Sequence, residues 1–326
     1  MLKKLLAIVG ILITVFLLVI LIRQADMEKL QAAFRLVPLP VLVMMAIIYL
    51  AGMVFRGNRF QLLSSGIKPG ITLKESTFPI IIGYTGNNLF PFRMGELVRL
   101  FYAHNRLGIS KTESAGLIIT ERFFDLFSIL IIFVSIGWMS FSFHWILDTP
   151  TYYSLIMGIT TVLVILVSGL VGLFIISKTR FFYKWNWVQK LLPVLKKVIT
   201  LFQTITSIVG SPSRLGLILL SSIGIWLVEA GVYYFAIDAI TSHSQSSLPL
   251  ALFTVGLVNL SVFIPSSPGF LGVFQAMTVV SLAGFGIEYD QSLACGIIIH
   301  AVMLIPLTLI GLFIGGHDLV RIFREN

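Results

Sequence analysis

Six long apolar runs constrain this chain more than any other feature of its sequence. An α-helix needs about 20 residues to cross a hydrocarbon core of about 30 Å, and each run is close to that length. The runs lie near 5–22, 38–55, 114–139, 153–177, 214–237 and 291–315. Only 11% of the residues are charged, against roughly 25% in an ordinary soluble domain. The sequence therefore predicts an all-α, polytopic protein of the cell membrane with about six spanning helices.

The first apolar run allows two interpretations. Lys3 and Lys4 precede it, as in a signal peptide, but no small-residue cleavage site follows before "RQADMEKL". We interpret the run as a retained first helix. The single cysteine, Cys295, leaves no disulfide framework within the chain.

The charges of the loops predict the orientation of the helices, because Lys and Arg concentrate in cytoplasmic loops. Lys and Arg recur through 178–214 but are absent from 140–152 and 239–248. We therefore place 178–214 and both basic termini in the cytoplasm. The segment 178–213 is expected either to lie along the inner membrane surface or to form a cytosolic helical linker. In both cases its lysines would contact the anionic lipids of the inner leaflet.

Two shorter apolar segments do not fit a simple series of crossings. The basic stretches 56–74 and 93–111 are both expected in the cytoplasm, so 75–92 between them must return to the side it entered. By the same argument, the residues on both sides of 249–286 are expected outside the cell, so this segment must also enter and leave the membrane on one side. We therefore predict two oppositely oriented re-entrant hairpins. The residues expected to break the first are Pro79, Gly83, Gly86 and Pro91, and the tip of the second is "PSSPGFLG".

The two hairpins fit an inverted repeat. "SAGLIITER" at 114–122 matches "SLACGIIIH" at 292–300 with a constant offset. We predict a single domain, 1–326, with repeat halves 38–139 and 214–316, a design in which substrate sites form between discontinuous helices at the midplane. The match sets Arg122 opposite His300 and Glu96 opposite Gln275.

Charged side chains inside the apolar sequence are the main candidates for function, since such groups are costly within a membrane. They are Arg93, Glu96, Arg99, Glu121, Arg122 and Asp125. Helical spacing allows Glu96 to pair with Arg99, and Arg122 with Asp125. One interpretation is that these are internal ion pairs. The other is that Arg93, Arg99 and Arg122 capture a phosphate with their planar guanidinium forks, while Glu96 and Asp125 position the arginines.

The second hairpin is uncharged, so its chemistry would come from the backbone and small polar groups. Its candidate binding residues are Asn259, Ser266, Ser267 and Gln275, with turn residues Pro265, Pro268, Gly269 and Gly272. A Pro-Gly turn before a helix offers free N–H groups to an anion, although a tight packing turn has the same sequence. His300 is either a satisfied interior histidine or a proton carrier. Glu229 has no basic partner at helical spacing, and its role stays open.

The chain lacks the common catalytic motifs. It contains no Walker loop, no His-Glu-x-x-His and no aspartates at metal-binding spacing. We therefore expect no enzyme activity, no cofactor, no metal and no nucleic-acid partner. The expected partners are a membrane lipid substrate, anionic inner-leaflet lipids and, as an open alternative, further copies of the chain in a homo-oligomer.

Four motifs in order carry a family resemblance: "NRFQLLSSGIK", "NNLFPFRMGELVRL", "SKTESAGLIITERFFDL" and "IPSSPGFLGVFQ". Together they resemble the flippase-like membrane domain of the lysylphosphatidylglycerol synthase/flippase family. The resemblance implies lipid translocation between leaflets by a stand-alone domain, without the aminoacyl-transferring part. Two alternatives remain: a lipid-modifying membrane enzyme using Glu96, Glu121 or Asp125 as acid/base, and a non-transporting subunit of a cell-envelope lipid pathway.

The resemblance also assigns family positions to individual residues. The family's charged motifs fall on Pro91, Arg93, Gly95, Glu96, Arg99, Glu121, Arg122 and Asp125, and its second turn on Pro265, Pro268, Gly269, Gly272 and Gln275. Two positions differ, because Phe270 replaces a glycine and Gln275 replaces the usual glutamate. An arginine is common in the family where His300 stands. The exchange of a carboxylate and an arginine for neutral groups preserves the net charge of the implied cavity.

Overall fold

The computed structural model of the chain describes residues 2–91, 93–143, 207–242, 248–261 and 267–325, together with a few positions between 158 and 169. Every regular element in this part of the chain is helical. Several predictions of the sequence fall outside the described residues: the helix at 153–177, most of the linker at 178–213, Pro265 and Ser266.

The first apolar run forms helix α1 (Leu2–Gln24), and a short helix α2 (Met27–Arg35) follows at an angle of 92°. Asp26 begins α2, because its carboxylate accepts hydrogen bonds from the backbone N–H groups of Glu28 and Lys29 at 3.0 and 3.3 Å. The predicted first helix is therefore present, and it ends in a sharp bend.

Among the continuously described residues, eight further α-helices fall into two groups of four, each in the order long, short, short, long. The first group is α3 (Leu39–Ser64), α4 (Leu73–Leu89), α5 (Met94–Leu107) and α6 (Lys111–Phe143). The second group is α7 (Pro212–Ile240), α8 (Leu248–Leu260), α9 (Val273–Gly284) and α10 (Tyr289–Glu325). Helices α6 and α10 begin at Lys111 and Tyr289, which are 178 residues apart. The inverted repeat itself stays a prediction.

Three of these helices are long and apolar enough to cross a membrane: α3, α7 and the Tyr289–His317 part of α10. The bent pair α1 and α2 would add a fourth if it forms one span. In contrast, α4 and α8 are about 26 and about 20 Å long, less than a hydrocarbon core of about 30 Å. The chain is thus an all-α, polytopic membrane protein.

Helix α3 corrects the predicted position of a basic stretch. Arg56 and Arg59 were expected in a cytoplasmic segment at 56–74, but both are buried within α3. The reason is that no proline interrupts the chain before Ser64 and that Gly57 is tolerated within the helix, where it lets Thr77 of α4 approach. Helix α3 packs most extensively against α7, and buried carboxylates of other helices reach its arginines.

Helices α4 and α5 form a close pair, which we call the first helix pair. A Cβ added at Gly95 would lie 1.9 Å from the Gly83 carbonyl oxygen, and one at Gly86 would lie 2.7 Å from the Gly95 Cα. Small residues at these positions let the two backbones touch. The prediction that Pro79, Gly83 and Gly86 break this segment is wrong, because α4 continues through all three.

The chain reverses between α4 and α5 at Phe90, Pro91 and Arg93, which we call turn A. Helices α8 and α9 form the second helix pair, and residues 267–272 between them are turn B. Turn B contains a short 3₁₀ helix, Pro268–Phe270, and positive φ angles at Gly269 (68°), Phe270 (59°) and Gly272 (80°). The left-handed backbone at Phe270 explains why the resembling family has a glycine there.

Buried residues of both groups form one apolar core. Met45 and Met53 of α3 pack there with Tyr233 of α7, and Cys295 of α10 lies fully buried in the same core. Helix α10 also packs along α4 and α9. The two groups of helices are therefore joined by a continuous interior, and the functional candidates lie within it.

Candidate functional site: a cavity between two turns

Turns A and B approach each other inside the protein. The 3₁₀ helix of turn B packs against α4, and a Cβ added at Gly269 would lie 3.5 Å from the Asn88 carbonyl oxygen. Beside this contact lies a cavity of about 100 Å³, which is room for several water molecules. Its wall includes Tyr49, Arg56, Tyr84, Asn87, Asn88, Arg93, Arg122, Glu229, Tyr233, Asn259, Ser261, Phe270, Phe274 and His300.

One side of the cavity is formed by a cluster around Glu229 of α7. Arg56 Nη2 donates to Glu229 Oε2, and Asn259 Nδ2 of α8 donates to Glu229 Oε1 at 3.1 Å. The Arg56 guanidinium also lies 5.4 and 5.3 Å from the ring centres of Tyr84 and Trp226, where the aromatic faces attract a cation. The partner that Glu229 lacked in the sequence is therefore an arginine of α3.

Behind another side of the cavity lies a chain of alternating charges, of which only Arg122 and Arg93 line the cavity. Arg59 Nη1 donates to Asp125 Oδ1 at 2.6 Å. Asp125 Oδ2 lies 3.3 Å from Arg122 Nη1, which confirms the predicted pairing of these two residues. Glu96 Oε1 then lies 3.5 Å from Arg122 Nε and 3.4 Å from Arg93 Nη2. The buried Arg59 thus has a short contact of 2.6 Å, whereas the contacts of Arg122 and Arg93 are 3.3–3.5 Å long.

Arg99 belongs to a separate and fully internal pair. Its Nη1 and Nη2 donate to the two carboxylate oxygens of Glu121 at 2.5 and 2.6 Å. The guanidinium also lies 4.9 Å from the Phe60 ring centre. The predicted contact of Arg99 with Glu96 is wrong, because Arg99 reaches across to α6 instead. Neither Arg99 nor Glu121 lines the cavity, so this pair is structural and not a phosphate ligand.

The charges of this cluster do not balance. It contains five arginines (Arg56, Arg59, Arg93, Arg99, Arg122) and four carboxylates (Glu96, Glu121, Asp125, Glu229). Two arginines have carboxylates of their own, Arg56 with Glu229 and Arg99 with Glu121. The other three share two carboxylates. Among the described residues, the cluster therefore carries one surplus positive charge.

The surplus charge lies at the cavity end of the chain. Arg59 is 2% exposed and held at short distance, whereas the side chains of Arg93 and Arg122 are 28% and 33% exposed and make only long contacts. In addition, Arg56 Nε, Arg56 Nη1 and Arg93 Nε have no hydrogen-bond partner in the described part of the chain. The wall thus offers both net positive charge and unused N–H donors to an anion.

Turn B contributes neutral groups to the same cavity. Gln275 Oε1 accepts a hydrogen bond from the Gly272 N–H at 2.8 Å, so one of the N–H groups predicted to be free for an anion is occupied. The amide orientation that this bond fixes makes Gln275 Nε2 the donor to His300 Nδ1, at 2.9 Å. A histidine that accepts at Nδ1 carries its proton on the other nitrogen and is neutral.

His300 is therefore part of a packed assembly and not a free proton carrier. Its ring stacks on Phe274, with centres 4.4 Å apart and planes 12° from parallel. Ser267 does not line the cavity, because its backbone N–H donates to the Thr14 hydroxyl of α1 at 3.1 Å. Of the polar residues predicted in the second pair and described here, Asn259 lies on the wall and Gln275 lies behind it.

Sequence reasoning missed Arg56 and the three tyrosines of the wall. Arg56 was assigned to a basic cytoplasmic stretch, 56–74. The signal that would have found it is the absence of proline between the apolar run and Ser64. The tyrosines Tyr49, Tyr84 and Tyr233 looked like ordinary interior aromatics, and nothing in their spacing distinguished them.

In the described ranges, no group of three or more His, Cys, Asp or Glu side chains is placed to hold a metal ion. The buried carboxylates instead contact arginines. In this arrangement the carboxylates balance the positive charge of the guanidinium groups and hold them in a fixed orientation.

Comparison with known proteins identifies related sequences. A family model described as "Lysylphosphatidylglycerol synthase TM region" matches residues 7–311. The protein named Glycosyltransferase AglD, from Haloferax volcanii, is 23% identical over 335 aligned residues, covering 92% of this chain and 52% of that protein. The chain thus spans about half the length of this curated relative.

Proposed function

Because this chain belongs to the lysylphosphatidylglycerol synthase transmembrane-region family, we propose that it moves a lipid between the leaflets of a bilayer. The lipid is an anionic phospholipid, an aminoacyl-phospholipid or a polyprenyl-phosphate type of lipid. Its headgroup phosphate binds in the cavity between turns A and B. The observation that carries this proposal is the surplus positive charge at Arg93 and Arg122, exposed to the cavity within an apolar protein.

Binding follows from the chemistry of the wall. A phosphate accepts hydrogen bonds from several guanidinium N–H groups at once, and such charge-assisted bonds are about twice as strong as neutral ones. Arg93, Arg122 and Arg56 line the same cavity and supply those donors. The volume of about 100 Å³ suits the polar end of a lipid, so the acyl chains would stay in the surrounding bilayer.

Movement of the headgroup follows from the helix plan. The two helix pairs are too short to cross, and each reverses near the cavity. We propose that they are re-entrant hairpins of an inverted repeat, which open the cavity to one side of the membrane at a time. The recurring helix order and the 178-residue spacing of α6 and α10 support the repeat.

The orientation in the membrane is proposed from charge. The basic residues concentrated at 178–214 favour the cytoplasm for this segment and for both termini of a protein in the cell (inner) membrane. The first helix pair would then open to the cytoplasm and the second to the outside. Neither a cofactor nor a metal is needed by this scheme, and self-association of the chain is left as a proposal to be tested.

The test is a leaflet-exchange assay with purified protein in lipid vesicles. Fluorescent phospholipids, an aminoacyl-phospholipid and a polyprenyl phosphate are each placed in one leaflet, and their appearance in the other is followed. We expect exchange well above that of empty vesicles, and its loss in Arg122→Gln. Arg35→Gln, at an exposed arginine of α2 away from the cavity, is the matched control. Failure of the wild-type protein with every lipid would overturn the proposal.

A second candidate is a lipid-modifying enzyme, which the name of the Haloferax relative favours. In this scheme Glu96 or Asp125, which lie behind the cavity wall, would have to reach a lipid headgroup in order to exchange protons with it. The same vesicles decide between the candidates, because an enzyme leaves a covalent lipid product that mass spectrometry detects. Exchange without any new product supports translocation.

A further inference from the structure

Glu229 has no role in the proposed phosphate contacts, yet it lies on the cavity wall. It is the only carboxylate among the described residues that lines the cavity. Its neighbours are Arg56 of α3 and Asn259 of α8, and the same wall holds three tyrosines without charge at neutral pH: Tyr49, Tyr84 and Tyr233. His300, on the same wall, is neutral by its hydrogen bonds. Glu229 is thus the one negative charge that a ligand meets.

Glu229 changes the net charge of the cluster but leaves hydrogen-bond donors of Arg56 unused. It uses only Nη2 of Arg56, and Arg56 Nε and Nη1 have no partner in the described part of the protein. Arg56 can therefore still donate to a ligand while Glu229 cancels its charge. With Glu229 ionised the cluster carries one surplus positive charge, and without it five arginines would face three carboxylates.

We infer that Glu229 sets the surplus charge of the cluster at one positive unit and so selects lipids whose headgroup carries a net charge of minus one, namely phosphodiesters without a cationic group. This inference rests on the proposed function and names its substrate class. A zwitterionic headgroup leaves the surplus arginine charge unbalanced. A phosphomonoester with two negative charges exceeds the surplus positive charge by one unit. In a low-dielectric cavity either mismatch is costly, and specificity is the difference between matched and mismatched ligands.

The experiment compares three lipids with identical fluorescent acyl chains in the exchange assay. Phosphatidylglycerol carries one negative charge and phosphatidylcholine none. Phosphatidate is a monoester that approaches two negative charges at about pH 8, since the second pKa of phosphate monoesters is about 6. We expect the wild-type protein to exchange phosphatidylglycerol fastest, by about tenfold over each of the others, equivalent to about 1.4 kcal/mol.

Two variants test whether the charge of Glu229 causes this preference. Glu229→Gln keeps an acceptor for Arg56 and raises the surplus charge to two, so the ratio of phosphatidate to phosphatidylglycerol exchange should rise about tenfold. The double variant Arg56→Gln with Glu229→Gln returns the surplus to one. Its ratio should return toward that of the wild type, even if its absolute rates fall. Size-exclusion profiles establish that each variant is folded.

The outcomes separate this inference from the proposed function. An unchanged ratio in Glu229→Gln overturns the inference while leaving translocation intact. The same altered ratio in the single and double variants also overturns it, because the effect would then follow the carboxylate and not the charge. A wild-type preference for phosphatidate or phosphatidylcholine overturns it without any variant. If the wild type exchanges none of these or the other lipids, the proposed function itself fails.

Discussion

The first and second helix pairs use the same position for different chemistry. Glu96 is the third residue of α5, and Gln275 is the third residue of α9. Each reaches the long helix that follows, Glu96 to Arg122 at 3.5 Å and Gln275 to His300 at 2.9 Å. One contact is an ion pair and the other a neutral hydrogen bond. The helix plan does not require charge, so the charge in the first pair is available for function.

The residues before these helices show the same contrast. Arg93 precedes α5 with φ 54° and Gly272 precedes α9 with φ 80°. Left-handed backbone costs a non-glycine residue roughly 1–2 kcal/mol, so the residue before α5 is strained and the residue before α9 is not, although Phe270 within turn B is also left-handed. An arginine kept at a position that favours glycine points to a use for its side chain.

The largest expected effect concerns the buried ion pair between Arg99 and Glu121 in the first group of helices. Glu121→Gln leaves Arg99 buried without a full charge partner and should lower the free energy of unfolding by about 3–5 kcal/mol. Replacing both residues with leucine should cost about 1 kcal/mol or less, because no buried charge remains. Thermal unfolding in detergent measures both. Equal losses in the two variants would show that the pair does more than stabilise the fold.

The next test compares the two partners of Glu96 and Gln275. Arg122→Gln should slow lipid exchange by about 10- to 100-fold, since it removes a charged donor to phosphate. His300→Gln should change the rate by about threefold at most, because a neutral residue there has no charge to lose. Rates in vesicles with matched protein content decide this. Similar losses in both variants would mean that the two pairs contribute alike to transport.

A third test moves the charged pair into the second half. Gln275→Glu alone places a buried carboxylate beside the unprotonated His300 Nδ1 and should destabilise the protein by about 2 kcal/mol. Adding His300→Arg supplies the partner found in the first pair. We expect the double variant to recover at least half of the loss, which a double-mutant cycle of unfolding temperatures would detect. Additive losses would contradict the equivalence of the two positions.

The smallest expected effect concerns the turns themselves. Arg93→Gly relieves the left-handed backbone and should raise the free energy of unfolding by about 1 kcal/mol, while lipid exchange falls. Arg93→Ala removes the same guanidinium without giving glycine's freedom, so exchange should fall with no gain in stability. Unfolding temperatures and exchange rates measured on the same preparations provide the comparison. Normal exchange in Arg93→Gly would remove Arg93 from the phosphate site.

The sequence predicted much of the helix plan because that plan depends on local signals. Apolar length predicted the long helices, and the Pro and Gly residues of turn B predicted its break. Glycine was less informative in the first pair. Gly83 and Gly86 lie inside a continuous helix, where they let another backbone approach. A sequence shows that a residue is small, but not whether a turn or a neighbouring helix requires it.

The candidate site was less predictable because ion pairs across helices have no sequence spacing. Arg122 and Asp125 are three residues apart in one helix, and their contact was found. Arg56 and Glu229 are 173 residues apart, and only the fold brings them together. The same holds for Arg99, whose local partner was expected to be Glu96. Where two partners compete for one arginine, packing decides, and helical spacing alone does not.

The burial of Cys295 has a practical consequence for following the two turns in motion. It is the chain's single cysteine and lies fully inside the core, so thiol-reactive probes should leave the folded wild-type protein unlabelled. New cysteines at the exposed residues Leu89 and Leu271 would then be the reactive pair. Spin labels on them would report the distance between the end of α4 and turn B, before and after lipid is added.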